Sequence, residues 1–148
     1  MSRRVPAILS IAMLFLCPGT VMAERIVVLV TSEHCPVSDL SNLDIRKAYL
    51  GISVSVDGNS IQPSRLTSDP ELNRIFFQAI VAMSEKSYER RALSLTVQLG
   101  TPRPEEFDNL AEALDFLDKT PCGMIFLWAE DAAMNDNAKL IKVIWHGD

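Results

Sequence analysis

Residues 26–30 constrain the fold most, because they are five consecutive aliphatic residues, four of them β-branched, between Arg25 and Thr31. Such a run is typical of a strand buried on both faces of a parallel sheet, and we expect it to be the central strand. Further strands are predicted over residues 61–67, 124–128 and 140–145. Because these strands alternate with helical segments, the sequence predicts a single three-layer α/β/α lobe with a mainly parallel sheet.

Four segments with apolar residues at helical spacing separate the predicted strands: residues 41–51, 68–83, 84–99 and 107–117. The second begins with Asp69, Pro70 and Glu71, which are typical of a helix start. The fourth is expected to begin behind Glu105 and Glu106, because acidic residues are favourable at the positive end of a helix.

Residues 1–23 have the pattern of a cleavable secretory signal, with Arg3 and Arg4 before an apolar run and small residues before Glu24. The alternative is a membrane anchor, but the run of about 11 apolar residues is shorter than the roughly 18 needed to cross a bilayer. We therefore expect a periplasmic protein whose working domain is residues 24–148, with no membrane insertion after cleavage.

The charge of the expected mature chain argues against a nucleic-acid partner. Removing Arg3 and Arg4 from the 14 basic residues leaves 12 against 19 acidic ones, a net charge of −7. Nucleic acids and anionic membranes are bound by clustered Lys and Arg, so both are disfavoured as partners.

Cys35 and Cys122 remain after the expected loss of Cys17 with the signal. Export to an oxidising compartment favours a disulfide between them, although two buried free thiols are the alternative. If both flanking strands were parallel, Cys35 would follow the end of one strand and Cys122 would precede the start of the other. The two Cα atoms would then be farther apart than the roughly 7 Å that a disulfide allows.

No motif in the sequence predicts catalysis, a metal or a cofactor. There is no G-x-S-x-G nucleophile motif and no glycine-rich phosphate loop. His34 lies beside Cys35, but no second ligand pair stands at a metal-binding spacing. We therefore expect a protein that is not an enzyme.

Three sequence blocks resemble a known family. They are LSNLDIRKAYLG at residues 40–51, SDPELNRIFF at 68–77 and TPCGMIFL at 120–127. Together they resemble the type 2 periplasmic-binding-protein fold, in particular the phosphate-binding proteins of phosphate ABC transporters and their short single-lobe relatives. The resemblance implies a non-enzymatic solute-binding protein for phosphate or another small oxyanion, working with a membrane transporter or sensor protein.

The binding pocket of such a fold lies beyond the carboxyl ends of the parallel strands. Two loops are expected to meet there, and Arg65 would supply the positive charge while hydroxyl groups donate hydrogen bonds. The expected ligand-binding residues are Thr31, Ser32, Ser38, Arg65 and Ser68. The alternative is that these are ordinary loop and helix-cap residues.

The sequence also departs from the family pattern. Asp69, Pro70 and Glu71 stand where the phosphate binders place Ser, Gly and Thr, which give donors to the anion. Proline has no N–H, and the two acids would repel a dianion at the helix start. A single lobe also lacks a second lobe that could close on a ligand. The second hypothesis is therefore a ligand-blind interaction or sensory-accessory module of the cell envelope.

Overall fold

The computed structural model describes residues 24–147. Its strands and helices alternate along most of the chain, and no helix in this range is both long and apolar enough to cross a bilayer. In chain order the elements are β1 (Ile26–Ser32), α1 (Asn42–Tyr49), β2 (Ser55–Val56), β3 (Asn59–Ser60), β4 (Gln62–Leu66), α2 (Pro70–Ile75), a π-helical turn (Phe76–Ile80), α3 (Glu85–Leu99), β5 (Glu105–Phe107), α4 (Leu110–Lys119), β6 (Gly123–Trp128), α5 (Ala129–Ala133) and β7 (Ala138–His146).

The main sheet has five strands in the order β5-β4-β6-β1-β7. Strand β4 is parallel to β5 and β6, whereas β1 is antiparallel to both β6 and β7. Four strands therefore share one direction, and the prediction of a mainly parallel sheet is confirmed.

The central position belongs to β6, so the prediction that residues 26–30 form the central parallel strand is wrong. Every residue of β6 is buried, and β1 is buried along almost its whole length. An apolar run of this kind reports burial on both faces, but it carries no information about strand direction or about the place in the sheet.

Helices cover both faces of the sheet. On one face, the ring of Phe126 stacks on Phe76 of the π-helical turn and meets Tyr49 of α1 edge-on. Gly123 lies three residues earlier in the same strand and therefore on the opposite face, where it is close to Phe116 of α4. This arrangement confirms the three-layer α/β/α prediction.

The fourth helix begins later than expected. Glu105 and Glu106 belong to β5, where they pair with Ser64 and Arg65 of β4. The helix itself is capped by Asn109, whose side chain accepts the N–H groups of the first turn. The predicted start behind the two glutamates is wrong because acidic residues are also tolerated on the exposed face of an edge strand.

The segment predicted as one helix over residues 68–83 divides into two parts. Asp69 caps α2, which continues into the π-helical turn, and the chain then reverses at Ala82, whose φ is +53°. Left-handed backbone of this kind ends helices and is usually found at glycine. Because residue 82 is an alanine, no signal in the sequence indicated the reversal.

Cys35 and Cys122 form a disulfide, with their Cα atoms 4.9 Å apart. Because β1 is antiparallel to β6, the end of β1 lies beside the start of β6, where Thr31 pairs with Met124. The expectation that the two cysteines lie at opposite edges of the sheet is therefore wrong. The bridge ties the loop after β1 to the start of β6.

Candidate functional site

The predicted ligand-binding residues lie in two separate places. Thr31 and Pro63 both pair with Met124, so the end of β1 is level with the start of β4. Arg65 lies two residues further along β4, about 7 Å at about 3.3 Å per residue, and Ser68 lies beyond the end of that strand. The antiparallel direction of β1 therefore sends its loop away from the second loop.

The hydroxyl groups of the first loop do not converge on a common point. Thr31 and Ser32 are buried; Thr31 Oγ1 donates to the Ser32 carbonyl at 3.4 Å, and Ser32 Oγ accepts the His34 N–H at 3.3 Å. Ser38 is exposed. The hydroxyl groups of Thr31 and Ser32 therefore contact the backbone of their own turn.

Arg65 is buried, with only 4% of its surface exposed. Its guanidinium carbon lies 4.0 Å from the centroid of the Phe76 ring, Nη2 donates to Asn73 Oδ1 at 3.1 Å, and Nη1 lies 3.6 Å from Glu106 Oε1. Nε is buried and has no hydrogen-bond partner among residues 24–147. The guanidinium of Arg65 thus contacts mainly Phe76, Asn73 and Glu106 of this chain. Ser68 is exposed.

A second group of side chains gathers where β4 and β6 end and β1 begins. We call it the Asp69 site and define it by Arg25, Asp69, Glu71 and Trp128. Asp69 Oδ1 accepts the N–H groups of Glu71 at 2.9 Å and Leu72 at 3.1 Å. The other oxygen, Oδ2, accepts the indole N–H of Trp128 at 2.7 Å. The carboxylate of Asp69 therefore occupies the start of α2, the position that attracts anions in helices.

The pKa of Asp69 is lowered by these contacts. Burial alone would raise it, but the hydrogen bond from Trp128, those from Leu72 and Glu71, and the charge of Arg25 together outweigh the burial. Hydrogen bonds to a carboxylate favour its charged form. Asp69 therefore carries a full negative charge at neutral pH.

Arg25 is the cation of the Asp69 site, and it already has partners. Its guanidinium carbon lies 3.6 Å from the centroid of the Trp128 ring. It also pairs with Glu71 at 3.0 Å and approaches Glu130 at 3.8 Å. Exposed ion pairs of this kind contribute little to stability. The acids Asp69, Glu71 and Glu130 outnumber Arg25, so the local charge is net negative.

Sequence reasoning identified Asp69 and Glu71 as an anomaly but missed Arg25 and Trp128. Both missed residues flank apolar runs, Arg25 immediately before one and Trp128 at the end of another. Only the pairing of Val27 with Trp128 in the sheet brings those two ends together.

Solved structures share this fold, among them two phosphate-transport proteins. One, from Clostridium perfringens, is described as a phosphate ABC transporter substrate-binding protein with bound phosphate; it is 14% identical, with a TM-score of 0.60 over 80% of this chain and 45% of its own. The other is an ABC-type phosphate transport receptor from Vibrio cholerae, 9% identical, with a TM-score of 0.58 over 80% of this chain and 46% of its own. No protein-family model and no curated protein matches the sequence.

These likenesses establish the fold of the chain, which is that of a periplasmic-binding-protein-like lobe. The chain spans less than half the length of either structure. At sequence identities of 14% and 9%, the ligand of a neighbour cannot be assigned to this chain.

Proposed function

We propose that the chain is an exported, non-enzymatic module of the cell envelope whose own Asp69 carboxylate fills the place of an oxyanion, and which acts by contacting a partner protein. The observation that carries this proposal is the set of three hydrogen bonds received by Asp69, from the Trp128 indole and the N–H groups of Glu71 and Leu72.

A free oxyanion would find few donors at the Asp69 site. Two N–H groups of the first turn of α2 are already engaged, and Pro70 has none to offer. The charges of Asp69 and Glu71 would repel a dianion, and Arg25 is already paired with Glu71. The attraction of the helix dipole for anions is therefore satisfied within the chain.

The disulfide and the amino terminus support export. Disulfides persist in oxidising compartments such as the periplasm, and the bridge between Cys35 and Cys122 fits such a location. The signal expected over residues 1–23 lies outside the described residues. One structural neighbour is described as a substrate-binding protein and the other as a transport receptor, which supports a binding role rather than catalysis.

The second candidate function is an oxyanion receptor that works with a membrane transporter or sensor. It is favoured by the bound phosphate of the Clostridium perfringens neighbour and by Arg65 Nε, which is buried without a partner in residues 24–147. In that case a ligand would have to displace Asp69 from the start of α2.

Thermal unfolding separates the two candidates. The purified protein is melted in phosphate-free buffer at constant ionic strength while phosphate, sulfate or a small carboxylate is added. A ligand at about 100 times its Kd stabilises a fold by about 2.7 kcal/mol, which raises Tm by several degrees. We expect no saturable shift with any of these anions. A saturable shift with any one of them would overturn the proposal in favour of the receptor.

A matched pair of variants tests whether Asp69 is the occupant. Asp69→Gly frees the N–H groups of Glu71 and Leu72, and it should create a saturable phosphate-dependent rise in Tm. Asp131→Asn removes a nearby negative charge but leaves those N–H groups engaged, so its Tm should remain insensitive to phosphate. An Asp69→Gly protein that folds but ignores phosphate would contradict the assignment of Asp69 as an anion surrogate.

A further inference from the structure

A groove runs between the end of the π-helical turn and the outer side of α3. It consists of two adjoining depressions of about 500 and about 370 Å³ that share Met83. Phe77 lines the first depression, and Arg90 and Arg91 line the second. We call it the Met83 groove. It shares no residue with the Asp69 site, although Arg74, which lines the first depression, lies 3.7 Å from Glu71.

Two unpaired cations border the Met83 groove. Ser87, Arg90, Arg91 and Ser94 stand at i, i+3, i+4 and i+7 in α3, so they form one stripe along the helix. Within residues 24–147, neither Arg90 nor Arg91 forms an ion pair with a carboxylate, unlike Arg103, which pairs with Glu89 at 2.7 Å. In a chain whose expected mature charge is strongly negative, this is a local positive surface.

Apolar side chains continue the surface beyond the arginines. Of the fifteen residues of α3, only Tyr88 and Ala92 are buried. Leu93 and Val97, which are one turn apart, are 60% and 77% exposed. The outer side of α3 is therefore both cationic and apolar, with nothing in residues 24–147 covering it.

The backbone that forms the groove is strained. Ala82 lines the first depression with φ at +53°, and the Met83 N–H donates to the Phe77 carbonyl at 2.9 Å. Left-handed backbone is unfavourable for a residue other than glycine, and π-helical turns often mark functional sites. The strained reversal brings Phe77 and Met83 to the same depression.

We infer that the Met83 groove binds an acidic amphipathic segment of a partner protein. Carboxylates of the segment would pair with Arg90 and Arg91, and its apolar side chains would contact Phe77 and Met83. The inference rests on the proposed function, since it assigns the surface through which the module acts.

Charge favours a short protein segment over a lipid surface. Arg90 and Arg91 lie on one stripe of α3, and screening limits their attraction to about 10 Å, so a short acidic segment meets mainly these two charges. An anionic bilayer is an extended face, and the net charge of −7 expected for residues 24–148 would repel it from the rest of the surface.

The first test uses a short fluorescein-labelled peptide in which Asp and Glu alternate with Leu and Phe. Binding to the whole protein is followed by fluorescence anisotropy, and backbone amide shifts locate it. We expect saturable binding that weakens with added salt, with shift changes at Phe77, Met83 and residues 87–94. Shift changes confined to other surfaces, or no binding, would overturn the inference.

Charge-reversal variants provide the matched control. Arg90→Glu should weaken peptide binding by about three- to tenfold, because it removes one attraction and adds one repulsion. Lys86→Glu makes the same charge change on an exposed residue of α3 that does not line the groove, and it should have a smaller effect. Met83→Gln should weaken binding without changing its salt dependence. Equal effects of Arg90→Glu and Lys86→Glu would contradict a specific groove.

Two further binding experiments, with an uncharged peptide and with lipid vesicles, separate the acidic segment from other occupants of the groove. A peptide with Asn and Gln in place of the acids should bind much more weakly, and equal binding would overturn the charge argument. Stronger binding to phosphatidylglycerol vesicles than to the peptide would favour a membrane surface and overturn the inference. If the peptide binds and phosphate also raises Tm, only the proposed function is refuted. If the peptide does not bind and phosphate leaves Tm unchanged, only the groove assignment is refuted.

Discussion

Opening the disulfide between Cys35 and Cys122 should cost the protein much of its stability. The bridge joins residues separated by 87 positions, so it restricts a large part of the unfolded chain. The loop-entropy relation gives about 4.6 kcal/mol for a loop of about 87 residues at 25 °C. Since domains of this size unfold with about 5–15 kcal/mol, the loss is a large fraction of the total.

Urea unfolding of the oxidised and reduced protein measures this effect. Trp128 and Trp145 provide the fluorescence signal, and the free energy of unfolding should fall by about 3–5 kcal/mol on reduction. The m-value should rise, because an unbridged unfolded chain exposes more surface. The variant Cys35→Ala with Cys122→Ala serves as the control, because the reductant should leave its unfolding curve unchanged.

Two results would refute the reasoning. If both cysteines of the unreduced, denatured protein react with an alkylating reagent, the bridge does not form and the stabilisation assigned to it is absent. If the bridge forms but reduction leaves the free energy of unfolding unchanged, the unfolded state is already compact enough that the closed loop adds no restriction.

Two further predictions concern single residues. Because the folded-state pKa of Asp69 is depressed, its charge contributes stability above the ordinary value of 3.8, and that contribution is lost as the pH falls through the folded pKa. The urea midpoints of the wild type and Asp69→Asn should therefore differ most at neutral pH and converge in acid; a gap independent of pH would refute this. Ala82→Gly should raise the free energy of unfolding by about 0.5–1 kcal/mol, since glycine adopts positive φ without strain. A control change at Ala79, which is also exposed, should instead destabilise the protein; stabilisation by both Ala79→Gly and Ala82→Gly would point to a cause other than φ.

The layered α/β architecture could be predicted because burial and periodicity are local properties. The apolar run of β1, the helix start at Asp69 and the apolar spacing of the helices each report how a segment contacts the core. Arg65 lies within the strand predicted over residues 61–67, but its burial against Phe76 does not appear in the sequence, since a basic residue near a strand end is usually exposed.

Strand direction could not be predicted from the sequence. The direction of β1 alone made two predictions fail, the separation of the two cysteines and the meeting of the two ligand-binding loops. Because β1 is antiparallel to β6, Cys35 is bonded to Cys122. For the same reason, Thr31 and Ser32 lie at the opposite end of the sheet from Ser68 and the end of β4. The same side-chain pattern would suit a parallel β1, because both kinds of strand can be buried on both faces.

By itself the sequence determined that the apolar runs of β1 and β6 are buried, that α1 to α4 are helical and that two acids stand at the start of α2, since these follow from the local order of apolar, polar and capping residues. Only the tertiary structure decided that Trp128 donates to Asp69 and that Arg25 stacks on the same indole. It also decided that Phe77 and Met83 share a groove with Arg90. Contacts of this kind depend on strand register and on a backbone reversal at Ala82, which are set by the packing of the whole domain rather than by neighbours in the chain.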